Sequence, residues 1–312
     1  MLANLLRSLL ARNSAVMPPT AAEAPGEAQQ LETIARRVEE ICRRVANLDR
    51  ATALHYQTAA AALIAHILAD PRYDDPLRLE RSGYTVYSQN EEDGILAEIF
   101  RRVGVSNRQF LEFGIGDGLE NNTRYLLDQG WTGAWIEGYP DHVASVERGF
   151  RNRIAAGDLR VRHAVVDRDN IEGLIAGFAL PRDLDLLSVD IDGNDYFVWE
   201  AITAVEPRVV VIEYNAKFPP PMRWVMPYNA AHAWDGSDQF GASLESLAGL
   251  GRSKGYQLVG CNITGSNAFF VRSGLAEGRF AEPADAVRLY QPARYYLSPA
   301  LISGHPTTYS RA

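Results

Sequence analysis

Five short apolar runs each close on an acidic residue: Glu112, Glu137, Asp167, Asp190 and Glu213. The first leads straight into Gly114-Ile-Gly116-Asp117-Gly118, a turn whose glycines let the chain reverse sharply and let a ligand approach the backbone. Such a glycine turn alone is shared with dinucleotide enzymes. Here Glu112, Asp117 and Glu120 surround it, and a pyrophosphate would meet carboxylates where it needs donors. The loop therefore suits a positively charged nucleoside cofactor, S-adenosylmethionine, with Glu112 placed to reach its amino group. Gly114, Gly116, Gly118, Asp117 and Asn122 complete the candidate cofactor contacts in the loop. Glu137 follows at roughly 20 residues, the spacing at which an acid accepts from ribose hydroxyls. Asp167, closing the next run, is placed to accept from an adenine amino group.

The fourth and fifth acids point to the other half of a crevice. Asp190-Ile-Asp192-Gly-Asn194-Asp195 and Glu213-Tyr-Asn215 would face each other if their strands are neighbours. Asp190, Glu213 and Asn215 are oxygen donors suited to a hard divalent cation such as Mg²⁺. Alternatively, Asp190 or Asp192 is the general base that takes the proton of a substrate hydroxyl. Asp190 also borders the cofactor, while Asn194 and Asp195 read equally well as helix caps. A calcium loop is excluded, because Ala201 stands where its final glutamate should be. The insert at 217–241 carries Trp224, Tyr228, His232 and Trp234, aromatics that suit stacking on a sugar or another flat ligand. His232 is a candidate base, with an ordinary loop residue as the alternative.

These acids need elements to hold them. After Tyr87 the pattern alternates: a helix at 91–103, a strand at 109–113, and a helix at 119–129. A strand at 134–137 precedes a helix at 142–156, and one at 161–167 precedes a helix at 171–178. Strands at 184–190 and 208–214 are followed by helices at 196–202 and 242–254. Two last strands, 256–261 and 268–272, lie too close for a helical crossover and must pair antiparallel. Repeated βα units with apolar strands imply a mostly parallel α/β sheet covered on both faces, closed by that hairpin.

Ahead of this domain the pattern differs. Leu31, Ile34, Val38, Ile41, Val45 and Leu48 alternate spacings of three and four between charged flanks, the seam of a short coiled coil. That predicts a homo-oligomer through the N-terminal helix, with an amphipathic helix packed on its own catalytic domain as the alternative. Residues 1–30 read as a flexible segment, with a short amphipathic helix on Leu2, Leu5, Leu6, Leu9 and Leu10. That helix docks on protein, with a peripheral membrane anchor as the alternative. The helical region is expected over 31–70 and the catalytic domain over 71–312, divided where Asp70-Pro71 breaks the helix.

With 312 residues, 46% of them hydrophobic and 22% charged, the composition is that of a globular protein. A net charge of −8 argues against nucleic acid as the main partner. No apolar run reaches the roughly 20 residues of a membrane span. Two distant cysteines, Cys42 and Cys261, build neither a disulfide framework nor a zinc site, which points to a reducing cytoplasm.

Six segments in order resemble one family: Tyr87-Ser-Gln-Asn-Glu-Glu-Asp-Gly-Ile95, Phe110-Leu-Glu-Phe-Gly-Ile-Gly-Asp-Gly118, Ser188-Val-Asp-Ile-Asp-Gly-Asn-Asp-Tyr196, Phe240-Gly-Ala-Ser-Leu244, Gly255-Tyr-Gln-Leu-Val-Gly260 and Asn267-Ala-Phe-Phe-Val271. Together they are similar to the FkbM-type class I S-adenosylmethionine-dependent methyltransferases. The resemblance covers roughly residues 88–272, about one domain. It implies a Rossmann-like class I methyltransferase fold and O-methylation of a saccharide, glycan precursor or related natural product. It also implies Glu112, Gly114, Gly116, Glu137 and Asp167 as cofactor contacts. Asp190 and Glu213 fall on the substrate side, where some related sugar methyltransferases hold a metal. Asn121-Asn122-Thr123 and the acidity of the loop depart from the family pattern. Two alternatives stand beside this reading: an NAD-dependent oxidoreductase, and a non-catalytic scaffold that keeps the fold.

Overall fold

The computed structural model describes residues 25–298; the expected amphipathic helix at the very start lies outside them. Helix α1 spans Pro25–Leu68, so residues 25–30, expected as part of the flexible segment, are its first turns. Proline suits the first helical position, and the Glu, Ala and Gln that follow are good helix formers. The chain divides into two compact units between Ala59 and Ala60, inside α1 and ahead of the expected break at Asp70-Pro71. In the first unit Ile34, Ile41, Val45 and Leu48 are all exposed.

In the second unit, helix α2 (Glu92–Val103) precedes strand β1 (Gln109–Phe113). Then come α3 (Arg124–Asp128), β2 (Thr132–Glu137), α4 (Pro140–Gly149), α5 (Arg151–Ala156) and β3 (Leu159–His163). Helix α6 (Ile171–Ala176), β4 (Leu186–Val189), α7 (Asp195–Ala201) and β5 (Val209–Glu213) follow. After the insert, α8 (Leu244–Ser253), β6 (Tyr256–Cys261) and β7 (Asn267–Arg272) complete the sheet. The seven strands lie in the order β3-β2-β1-β4-β5-β7-β6, parallel except for β7, which runs against both neighbours. This mostly parallel sheet with its reversed hairpin is the Rossmann-like class I methyltransferase fold expected from the alternating pattern.

Three elements differ from expectation in ways that bear on the site. The third strand ends at His163, so Asp167 lies beyond it rather than closing it. The fourth strand is shorter at both ends than expected, and Asp190 is the first residue past it. The helix expected at 119–129 begins only at Arg124, because residues 121–123 are committed to side-chain bonds described below.

Side chains alternate along each strand, so one face carries Leu111, Phe113, Ile136, Leu187 and Ile212 and the other Phe110, Trp135, Leu186, Val209 and Phe269. The second face is covered by Ile95, Leu96 and Ile99 of α2 and by Val146 of α4. The same face carries the acids. Counting in twos from Phe110, Trp135, Leu186, Val211 and Phe269 brings Glu112, Glu137, Ser188, Glu213 and Asn267 onto it, all at one edge of the sheet. Among the described residues no helix is long and apolar enough to cross a membrane.

Candidate active site

At that edge, outside the carboxyl ends of the parallel strands, lies a cavity of about 710 Å³. This is where open α/β sheets bind ligands, and the volume is within the range of small-molecule sites. Its walls include Glu112, Gly114, Gly116, Asp117, Asn122, Glu137, Asp190, Asp192, Glu213 and His232. Gly118, Asp167 and Asn215, three further expected site residues, do not line it.

The glycine turn is shaped by sterics. Gly114 has φ +72°, and a Cβ there would sit 1.6 Å from the carbonyl oxygen of Asp190. The loop from β1 thus presses backbone to backbone on the end of β4, which only glycine allows. Gly118 is required for a different reason: a Cβ would crowd Phe150, Trp135 and Val146, so it serves packing rather than the cofactor.

Glu112 is buried on the floor of the cavity, yet its carboxylate is occupied. It accepts from the backbone N–H groups of Asn122 (2.8 Å) and Thr123 (3.0 Å). It also accepts from Asn121 Nδ2 (2.5 Å), Thr123 Oγ1 (2.5 Å) and Ser188 Oγ (3.2 Å). Five donors exceed the roughly four lone-pair sites of a carboxylate, so none is left for a cofactor amine. The expected direct contact is corrected: Glu112 positions the Asn121-Asn122-Thr123 segment. Burial raises its pKa and these bonds oppose the rise. Asn122 lines the cavity with its Nδ2 donating to Ser188 Oγ at 3.1 Å.

Glu137 is buried at the end of β2, accepting from Gly116 N–H at 2.8 Å and from Tyr139 N–H at 2.9 Å. Those two bonds tie it to the glycine loop and leave acceptor capacity toward the cavity. His142, which nothing in the sequence singled out, stands beside it on the cavity wall. Asp167 is turned away: its Oδ1 accepts from the N–H groups of Asp169 and Asn170, both at 2.8 Å. The expected adenine contact is therefore corrected to a local turn ahead of α6. Ala164, Val165 and Val166 form that part of the cavity wall instead.

On the side expected to face a substrate, the structure brings Asp190, Asp192 and Glu213 together, one oxygen of each lying within 4.8 Å of the others. Asn215, expected as a metal ligand, is engaged elsewhere. Its Nδ2 donates to the carbonyls of Asp238 (2.9 Å) and Phe240 (3.1 Å), and its Oδ1 accepts from Lys217 N–H. It anchors both ends of the insert, and Asp192 takes its place in the acidic trio. Asp192 has φ +55°, a left-handed conformation that Asp tolerates better than most residues. Burial, then Asp192, Asp195 and Glu112, push the Asp190 carboxyl well above the usual range. Burial and then Asp190 do the same to Glu213, whose Oε2 is buried without a hydrogen-bond partner.

Asp195 is the first residue of α7 and braces the loop before it, its two oxygens accepting from Ile191 N–H and Gly193 N–H at 2.9 Å each; neither it nor Asn194, the N-cap residue, gives the helix a side-chain cap. Burial lifts the Asp195 pKa to about 6. Asn194 pins the insert, donating to Asn229 O at 2.8 Å. His232 also belongs to the insert and reaches the cavity, its Nε2 3.1 Å from the backbone oxygen of Asp192. Of the insert aromatics, Trp224 stacks on Phe218 with centroids 4.3 Å apart and Tyr228 packs on Phe197. Trp234 alone among them lines the cavity, 54% exposed at its mouth.

The lining holds seven carboxylates (Glu112, Asp117, Glu120, Glu137, Asp190, Asp192 and Glu213) and two histidines, with no Lys or Arg among the described residues. Such a wall repels phosphates and favours cationic groups.

No protein-family model and no curated relative matches the chain. Among solved structures, it is similar to a SAM-dependent methyltransferase from Aquifex aeolicus: 13% identity and a TM-score of 0.36, over 67% of this chain and 95% of that one. A second, from Clostridium acetobutylicum, gives 11% identity and a TM-score of 0.36 over 68% and 98%. A third, from Thiobacillus denitrificans in complex with S-adenosyl-L-homocysteine, gives 18% and 0.34 over 60% and 70%. The fold assignment itself rests on the strand order.

Proposed function

We propose that this chain is an S-adenosylmethionine-dependent O-methyltransferase of the FkbM type, acting on a hydroxyl of a saccharide, glycan precursor or related natural product. The observation that carries the reading is the charge of the cavity. A glycine loop backed by Glu137 at this edge of the sheet is a nucleoside site, and seven carboxylates without a Lys or Arg suit a sulfonium and an ammonium. An NAD-dependent oxidoreductase would have to seat a pyrophosphate against the same wall, which disfavours that alternative.

In the proposed reaction Glu137 accepts from the ribose hydroxyls, and the amides of the loop meet the methionine carboxylate. The acceptor oxygen attacks the sulfonium methyl in line; the C–S bond breaks as the O–C bond forms, giving a methyl ether and S-adenosylhomocysteine. The hydroxyl proton passes to a carboxylate, with Asp190 and Asp192 placed for it. Because holding the two reactants in line supplies much of the acceleration, the rigid β4 end matters as much as the base. His232 and Trp234 close the mouth, and the exposed indole offers a flat surface on which a sugar ring stacks.

The orphaned Glu213 Oε2 and the mutual repulsion of Asp190, Asp192 and Glu213 fit a hard divalent cation such as Mg²⁺, held by these three carboxylates. When bound, it would lower the pKa of a neighbouring hydroxyl. Calorimetry decides the main point: S-adenosylhomocysteine should bind and NADH should not. NADH binding with no response to S-adenosylhomocysteine would replace the methyltransferase by an oxidoreductase.

A further inference from the structure

Two buried amide oxygens on the cavity wall have no donor: Asn121 Oδ1 and Asn267 Oδ1. In each case a buried carboxylate orients the amide. Asn121 Nδ2 donates to Glu112, and Asn267 Nδ2 donates to Glu92 Oε1 at 2.9 Å. Because a carboxylate only accepts, the amide end facing it must be the NH₂, and the oxygen is turned the other way. Around Asn121 the structure is already explained by the loop. Asn267 has no such duty.

Asn267 is 4% exposed and stands opposite Glu213 in the β5–β7 ladder, so both side chains leave the same face of the sheet. Glu213 carries the other unmet acceptor there, Oε2. Beneath them Glu92, fully buried at the start of α2, accepts four bonds. They come from Asn90 N–H (2.9 Å), Asn90 Nδ2 (3.1 Å), Asn262 Nδ2 (2.7 Å) and Asn267 Nδ2 (2.9 Å). Asn262 in turn accepts from the N–H groups of Ser266 and Asn267, fixing the β6–β7 turn. A buried carboxylate thus holds one amide rigidly, with its oxygen turned from Glu92 and no protein donor to meet it.

We propose that Asn267 supplies a fourth, neutral oxygen to the divalent-cation site of Asp190, Asp192 and Glu213, and that Glu92 is the positioning residue that aims it. The inference rests on the cation reading above. Amide oxygens are ordinary ligands of hard cations, and a neutral one adds a bond without adding to the repulsion among three carboxylates. Second-layer carboxylates that orient a ligand are a recurring part of metal sites.

The test is titration of Mn²⁺ alone into the full chain, following free Mn²⁺ by electron paramagnetic resonance. Wild type should bind one ion, and Asn267→Ala and Asn267→Ser should each weaken it roughly tenfold or more. Glu92→Gln keeps an oxygen where Asn90, Asn262 and Asn267 all donate and should hold Mn²⁺ affinity within a few-fold, whereas Glu92→Leu removes that acceptor and should give a similar loss. A merely structural role for Glu92 would lower the melting temperature of Glu92→Leu without changing Mn²⁺ affinity. Thermal melts identify any variant that fails to fold, and the Ala and Ser variants stand in for each other. Wild-type Mn²⁺ affinity in both Asn267 variants would overturn the assignment of Asn267. Wild-type Mn²⁺ affinity in a folded Glu92→Leu variant would overturn that of Glu92. Absence of Mn²⁺ binding by the wild type would overturn the cation reading and this inference with it, while S-adenosylhomocysteine binding would remain a separate result.

Discussion

Replacing Glu91 by Gln should change the pH dependence of stability in a way that few other substitutions can. Glu91 sits just before α2 with both carboxylate oxygens buried and outside hydrogen-bond geometry with any partner. Burial, reinforced by the charge of Glu92, lifts its pKa from 4.5 to about 8; the backbone of Glu91 and Ile263 and the charge of Arg294 offset only part of this. Between those two values the folded chain keeps a proton that the unfolded chain has lost. Stability therefore falls as pH rises through this window, is level below it, and levels again above the folded pKa. At about 1.4 kcal/mol per unit, the loss is on the order of 3 kcal/mol by pH 7 and about 5 kcal/mol above pH 8. That is a large share of the ~5–15 kcal/mol by which domains are stable. Glutamine stays neutral throughout, so the difference between variant and wild type isolates Glu91 from other titrating groups such as Asp195. Urea denaturation of both proteins at pH 5, 6, 7 and 8 measures it. The advantage of Glu91→Gln should grow steadily over that range; a constant offset, or an advantage that shrinks with pH, would refute the reasoning.

Three further outcomes follow from the site and the helix. Gly114→Ala drives a Cβ into the Asp190 carbonyl at a positive φ, so it should destabilise the fold by roughly 2–3 kcal/mol and weaken cofactor binding, read by thermal melts and calorimetry. Asp190→Asn should retain S-adenosylhomocysteine affinity within a few-fold while lowering methyl transfer at least ~100-fold, the usual scale of a general base; unchanged turnover would remove Asp190 from the chemistry. Self-association through residues 31–48 is also a proposal. Ile34→Glu/Ile41→Glu alters only exposed side chains, so it should lower the mass seen by light scattering without lowering the melting temperature of the second unit.

The sheet was legible because Val209-Val-Val-Ile212 and its neighbours are buried on both faces and therefore uniformly apolar. β3 was harder to bound, since Arg160 and Arg162 interrupt an edge strand while Val165 and Val166 beyond it drew the expected strand outward. The acids at the strand ends were legible as a set, but their individual duties were not. Glu112, Asp167 and Asn215 were assigned to ligands because nothing in a sequence marks a carboxylate or amide as already satisfied by its own backbone. Glu92 and Asn267 were missed for a related reason: they meet across 175 positions, and buried acids are rare enough that the Asn90-Glu91-Glu92-Asp93 run reads as surface. The signal available was the combination of that acidic run with three asparagines, Asn90, Asn262 and Asn267, which together supply the donors a buried carboxylate needs.

The acidic cavity at this sheet edge is proposed to hold S-adenosylmethionine. Titrating S-adenosylhomocysteine into the wild type and into Glu137→Ala by calorimetry tests it most directly. One site per chain is predicted in the wild type, with affinity lowered at least ~10-fold in the variant, as expected for loss of charge-assisted hydrogen bonds to the ribose. No heat of binding in a folded wild type, or equal affinity in Glu137→Ala, would contradict the account.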